Sequence, residues 1–494
     1  MKQMIDSLID DAVNLSLVRE RDRIYLTNQI LQYIPEEIYN NRYLIPEDES
    51  PNSKVEAIVQ CLADEGVIEN KVYIKDIFSA NIMNVMLPFP SGIENRFNKL
   101  KAQDSVKATD DFYNISLFSN YIQKNRIKQN ISFKADSRYG ELEVTINLSK
   151  PEKSIEEIKE AQSVKQDSQY PACFLCKENE GYVGNLSHPA RSNHRVLGIT
   201  LDNRQWYLQF SPYSYYDEHS IVFTAEHVPM KINTQTFINL ADFVDQFPHY
   251  FIGSNADLPI VGGSMLSHEH YQAGKHVFPI ERAESFYKEE LMDNVTVELL
   301  NWPLSTVKVS GEDKEAVIQA AVRVTDNWNQ YDNEALNIKS KTNEQHSTVT
   351  PIVRKENDRY IAYIILRNNR TDEQNPYGIF HVNPEDFHIK KENIGLIEAM
   401  GLAVLPARLK DDTEKLESHF KSNTFEETEH NEWIQVWQEK YDKDYIAKNF
   451  DDVFQRETGH KFENILEACG VFKSNEDFIS FIHHIDFNDN ENSL

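Results

Sequence analysis

The sequence predicts an α+β protein, with sheets and helices in two comparable units and a helical region in front of them. Three observations carry that prediction. Apolar residues recur at three- and four-residue intervals through IDSLIDDAVNLSLVRERDRIYLTNQILQYI, and again through VEAIVQCLADEGVI. From about residue 171 the texture changes to aromatic and β-branched runs such as RQWYLQFSPYSYY and HSIVFTAEH. A similar mixture returns in STVTPIVRKENDRYIAYIILRN, which reads as a hairpin around KEND. The expected division is a helical region over 1–135, a first α+β unit over 136–305, and a second over 306–494 with a helical tail.

Taken in order, LPFPSG at 87–92 breaks the helical pattern with two prolines and a glycine. ELEVTINL alternates as a strand, and SKPEKSIEEIKEAQ opens like a helix, on a serine followed by Pro and acids. TQTFINLADFVDQF reads as a helix starting from a Thr cap, and HYFIGSN leads back into a strand. IVGGSMLSHEHYQAGKHVF joins paired glycines to an alternating run. ENIGLIEAMGLAVLPARL reads as a helix followed by a strand or loop, and the acidic tail from about 410 as helices that fray in FNDNENSL.

Length and composition bound the function. The 494 residues suffice for two or three cores, and 40% hydrophobic with 26% charged residues is ordinary globular usage. A formal net charge of −28 opposes non-specific binding to nucleic acid or to an anionic membrane. An anionic substrate therefore needs a local nest of donors. The absence of a long apolar run and the acids in MKQMIDSLIDDAVNL make the cytoplasm the expected location.

The chemistry concentrates in a few segments. In LSHEHYQ, residues 266–272, an extended chain puts His268, His270 and Gln272 on one face, with Glu269 and Tyr271 on the other. A neutral imidazole is a good nucleophile toward phosphorus, the phosphoramidate it forms can pass the group on, and an amide beside it can steady a phosphoryl oxygen. Gly262 and Gly263 either turn the chain before this segment or let backbone approach a phosphate or sugar. Cys173 and Cys176 have the spacing of two zinc ligands, with His188, His194, His227 and His268 as candidate partners; the context lacks the strand and long helix of a thioredoxin-like redox pair. Arg191, Asn193 and Arg195 in HPARSNHR, with Arg367 and Arg370 in LRNNR, are candidate phosphate ligands in an acidic chain.

HPARSNHR, YYDEHSIVFTAEHVPM, IVGGSMLSHEHYQ, LRNNRTDEQNPYGIFH and KKENIGLIEAMGLAVLPARLK resemble, in that order, segments of the second class of galactose-1-phosphate uridylyltransferases. These belong to the histidine-triad superfamily, so the resemblance implies antiparallel sheets packed with helices. It implies transfer of a uridylyl group from UDP-glucose to galactose 1-phosphate in galactose catabolism, through a uridylyl-histidine on His270 with Gln272 steadying the phosphoryl oxygens. It implies one structural zinc on Cys173, Cys176, His227 and His268, no organic cofactor, a nucleotide-binding role for Asn255, and a homodimer. Glu269 and Tyr271 depart from the proline and glycine of the first class, and no counterpart of that class's iron site is evident, His381 and His388 reading as ordinary histidines. The rival expectations are another histidine-dependent nucleotidyl transfer, either phosphorolysis of a dinucleoside polyphosphate or hydrolysis of a nucleotide-sugar, and a non-catalytic zinc-stabilised binding protein.

Overall fold

The computed structural model describes residues 1–150, 170–263, 265–291, 294–422 and 429–487. All but the first two residues of the expected helix SKPEKSIEEIKEAQ, and all but the first of FNDNENSL, lie outside the described residues. The chain divides into two compact units, one of 1–129 with 149–228, the other of 130–148 with 229–494. Among the described residues no helix is long and apolar enough to cross a membrane.

The first unit begins with helices, as the apolar spacing predicts. The long pattern at the start is two helices, Lys2–Asn14 and Arg23–Ile30, because Ser16 takes a left-handed φ of 56° and turns the chain between them. Pro51–Asp64 starts from a Ser50 cap whose side chain accepts the Ser53 N–H. Val72–Asn84 ends before LPFPSG, and Pro90–Lys101 restarts with proline at its first position, where the missing N–H costs nothing. Ser105–Phe118 follows from an Asp104 cap. Its Phe112 packs on Phe210, ring centroids 5.2 Å apart, which joins the helices to an antiparallel set of strands, Leu197–Leu201, Arg204–Phe210 and Ser220–Thr224.

Among the described residues of the second unit, one run of strands pairs antiparallel in the order His270–Gly274, Phe251–Gly253, Ser347–Glu356, Arg359–Asn368, Thr306–Gly311, Thr296–Leu300 and Ser285–Glu290. The helices Thr234–Gln246 and Lys314–Trp328 pack on the two long central strands. Trp328 is fully buried there, its indole N–H shared between the carbonyls of Thr348 and Arg367 at 2.9 Å each. The cap of the first of these helices is Asn233 rather than a threonine: its side chain accepts from Thr236 N, and the Thr236 hydroxyl accepts from Asn233 N. A smaller sheet pairs Ile131–Ser137 with Gly140–Ile146 antiparallel, and adds Leu402–Leu405 in parallel, a departure from the antiparallel expectation. The tail is helical through Arg408–Ser422, Asn431–Lys440, Lys443–Lys448, Phe450–Cys469 and Asn475–Ile482.

The hairpin expected around KEND closes on Asn357 and Asp358, with φ of 46° and 66°, the double left-handed turn that matches strand twist. Asp202 and Asn203 make the same turn in the first unit. Beneath Phe251–Gly253 the packing leaves no room: a Cβ on Gly253 would stand 2.9 Å from the Pro351 carbonyl oxygen and 3.0 Å from side-chain carbons of Ile352 and Leu396. Gly253→Ala is expected to destabilise the fold by about 1 to 3 kcal/mol through overpacking, read as a lowered midpoint in urea unfolding.

Candidate active site and metal ligands

The alternating segment is a strand only from His270 onward. His268 lies in the bend before it, so His270 and Gln272 share a face of the strand while His268 stands outside the ladder. Between the bend and the strand runs a local bond, in which Nδ1 of His270 donates to the His268 carbonyl at 2.7 Å. That bond fixes the tautomer, because a carbonyl only accepts, and it leaves the lone pair on Nε2. His270 is buried, and burial first, with His268 beside it, holds its pKa down at about 4. The ring is a neutral base with one committed and one uncommitted nitrogen position. Gln272 stands opposite Gly253 in the pairing of the two strands.

On the other face, Tyr271 is fully buried, and its hydroxyl donates to Glu269 Oε1 at 3.2 Å while accepting from Asn239 Nδ2 at 3.1 Å. Asn239 belongs to the helix Thr234–Gln246, so Glu269 and Tyr271 fasten the strand of His270 to that helix. The paired glycines serve the loop leading in. A Cβ on Gly262 would stand 2.3 Å from the Ala256 carbonyl oxygen, and one on Gly263 would stand 2.7 Å from Asn255 Nδ2. Asn255 is itself engaged, its Oδ1 accepting from Leu396 N at 2.8 Å.

The first unit holds three metal-ligand candidates together. Cys173 Sγ and Cys176 Sγ are 3.4 Å apart, His227 Nδ1 is 3.2 Å from Cys176 Sγ, and all three offer their ligand atoms within 4.8 Å of one another. Asn179 rigidifies the turn, its amide donating to the carbonyls of Cys173 at 2.8 Å and Cys176 at 2.7 Å, and Leu175 N donates to Cys173 Sγ. The donor set fits a thiophilic divalent cation. Two tetrahedral Zn–S bonds of about 2.3 Å subtend roughly 3.8 Å, near the observed separation. Burial and the adjacent Cys173 push the Cys176 thiol up to about 12, so the pair ionises together only beside a cation. Two other candidates are spoken for: His188 Nε2 bonds to Asn179 Oδ1 at 2.5 Å, and His194 bonds to Gln209 Oε1 at 2.9 Å with its ring stacked on Tyr121.

The candidate phosphate ligands differ among themselves. Arg195 is buried, with Nε on the Pro88 carbonyl, Nη1 on those of Ser192 and His194, and Nη2 on Asn84 Oδ1. Asn193 donates to the Ser119 carbonyl at 2.7 Å. Arg367 is fully buried and donates to the Ile394 carbonyl at 3.0 Å, so it and Asn255 both hold the segment 394–396. Arg370 Nη1 reaches the Asn337 carbonyl at 2.9 Å. Among the described residues the Arg191 guanidinium bonds its neighbour's carbonyl, Ala190 O, at 3.1 Å and lies over the Tyr121 ring. His381 and His388 are buried, bonding to Asn393 and to His430. Sequence reasoning missed Tyr121 and Asn239, which carry no motif and become visible only through their partners.

Tyr271→Phe strips a buried amide and a carboxylate of their shared partner, and is expected to cost about 1 to 3 kcal/mol in unfolding free energy while leaving the secondary structure intact by circular dichroism.

Residues 16–229 match a family model described as galactose-1-phosphate uridyl transferase, N-terminal domain, and residues 242–435 match the model of its C-terminal domain. Galactose-1-phosphate uridylyltransferase of Clostridium perfringens (strain 13 / Type A) is 45% identical over 489 residues, covering 97% of this chain and 97% of that protein. The protein of the same name from Staphylococcus saprophyticus is 40% identical over 495 residues, covering 98% of this chain and 99% of that protein. Among solved structures, yeast Ap4A phosphorylase Apa2 aligns over 60% of this chain and 90% of its own at 13% identity, with a TM-score of 0.33.

Proposed function

The chain belongs to the galactose-1-phosphate uridylyltransferase family, and from that premise we propose that it transfers a uridylyl group from UDP-glucose to galactose 1-phosphate by way of His270. In the first half-reaction Nε2 of His270 attacks the α-phosphorus, the bond to the bridging oxygen breaks, and glucose 1-phosphate leaves with that oxygen. In the second, a phosphate oxygen of galactose 1-phosphate attacks the uridylyl-histidine, the P–N bond breaks, and UDP-galactose departs with the imidazole neutral again. The first leaving group is a sugar-phosphate anion and the second a neutral imidazole, neither of which needs a proton to depart, so positioning and charge stabilisation dominate over general-acid help. Gln272 supplies an amide to the phosphoryl oxygens from the same strand face.

The single observation that carries this reading is the 2.7 Å bond from His270 Nδ1 to the His268 carbonyl. It holds the ring as the tautomer whose Nε2 lone pair is the nucleophile, and burial keeps that ring unprotonated. We assign the nucleotide to Asn255 and the phosphates to Arg191, Asn193, Arg195, Arg367 and Arg370; Arg191 has the guanidinium least committed to the fold. His268 is our fourth ligand beside Cys173, Cys176 and His227, a buried imidazole that closes the donor set as tetrahedral. A zinc held so is structural. By family likeness the enzyme is taken as a cytoplasmic homodimer.

Intact mass of the protein mixed with UDP-glucose alone is expected to rise by one uridylyl group as glucose 1-phosphate is released, and to fall back on adding galactose 1-phosphate. His270→Gly should form no adduct and lose turnover by roughly 10⁴-fold or more. A folded wild-type protein giving neither adduct nor sugar phosphate would refute the reading. Elemental analysis of protein purified without chelator is expected to find about one zinc per chain. Cys173→Ser is expected to lose that metal and to melt at lower temperature.

A further inference from the structure

The helix Thr234–Gln246 is held to the strand Ser347–Glu356 near both of its ends. At the start, Ile232 N donates to Asp257 Oδ2 at 2.9 Å, and the other oxygen of that carboxylate accepts from the Thr348 hydroxyl at 2.6 Å. At the finish, Asp245 Oδ1 accepts from Lys355 Nζ and Asp245 Oδ2 from Lys314 Nζ, each at 2.9 Å. Phe237, Leu240, Phe243 and Val244 are buried along the length between. The helix is therefore a fixed reference for whatever hangs from its middle.

An oriented chain of hydrogen bonds hangs there. Gln235 and Asn239 stand four residues apart on one face of the helix, and Gln235 Nε2 donates to Asn239 Oδ1 at 3.0 Å. That contact fixes which end of the Asn239 amide faces the strand: it is Nδ2, donating to the Tyr271 hydroxyl. The hydroxyl has one proton and gives it to the Glu269 carboxylate. Each donor in the order Gln235, Asn239, Tyr271 has its acceptor next in line, so turning one group unseats its neighbour. Asn239 and Tyr271 are both buried, where bulk water does not replace a lost partner.

The start of the strand needs such a tether. Its ladder with Phe251–Gly253 runs through Gly274, Ala273 and Gln272, and stops short of Tyr271 and His270. Tyr271 shares its peptide groups with His270 and Gln272, whose side chains leave by the opposite face. A shift of its hydroxyl against the helix is thus a shift of the imidazole. Attack on phosphorus needs the reacting atoms within about 3 to 3.5 Å, and a misplacement of ~1 Å can cost ~100-fold in rate.

We propose that Asn239 is a positioning residue: acting through Tyr271, it sets where His270 stands when Nε2 meets phosphorus. The proposal rests on the uridylyl-transfer reading for its effect on rate, and it gives a helix on the far face of the sheet a part in the chemistry.

The test is a double-mutant cycle on the full chain, with Asn239→Leu, Tyr271→Phe and the pair together, each assayed well below its melting temperature. Each single substitution is expected to lower kcat by about 10- to 100-fold with KM held within about threefold, and the double variant to be no slower than the slower single. Gln235→Ala, at a half-buried position, frees the Asn239 amide to turn and is expected to lower kcat by about threefold to fivefold. Wild-type kcat in Gln235→Ala overturns the proposal even where the buried variants do not fold. A role in stability alone would lower melting temperatures and leave the kcat of folded variants unchanged, which overturns it, as do losses that multiply in the double variant. Hydrogen exchange of the peptide 268–274 is read on the same samples, and the adduct experiment on wild-type protein separates the two readings. Adduct formation with unchanged kcat in the variants defeats the positioning role alone. No adduct with faster exchange in the variants keeps the tether of His270 and defeats the transfer reading, and no adduct with unchanged exchange defeats both.

Discussion

One hydrogen bond organises the candidate site: the imidazole of His270 gives its Nδ1 proton to the carbonyl two residues earlier. A histidine that must act on phosphorus needs one nitrogen held and the other open, and backbone does the holding without a titratable partner. A carboxylate in the same place would raise the ring's basicity and favour the protonated form, which has no lone pair to offer. Choosing a carbonyl keeps the ring neutral.

The opposite face of the strand supplies the rigidity. Tyr271 reaches the helix behind the sheet and meets Asn239, while Glu269 closes the same network. Residues that depart from the first-class motif are thus structural in this chain, filling space and bonding where proline and glycine would do neither. Gly253, packed directly on Pro351, brings the neighbouring strand close enough for that pairing to be tight.

Much of this was legible in the sequence, and the failures have physical causes. Asn357 and Asp358 announced their hairpin because two adjacent left-handed residues are tolerated by few side chains, and both are of that kind. HEHYQ reads as strand throughout because alternation is all that the sequence shows, and the bend at His268 belongs to the backbone. A guanidinium in the sequence shows its charge and not its partners, so the carbonyls that surround Arg195 and the one that fastens Arg367 are visible only in the fold.

Asn255 and Arg367 grip the segment 394–396 through its main chain alone, one by the N–H of Leu396 and the other by the carbonyl of Ile394. Backbone groups are the same whatever side chain they carry, so these two bonds do not read the side chains at 394 and 396; at 395 identity does matter, since a Cβ there would stand 3.2 Å from the Asn255 Oδ1 that holds Leu396. The course of that segment is thus tied to one glycine rather than to the apolar side chains on either side of it.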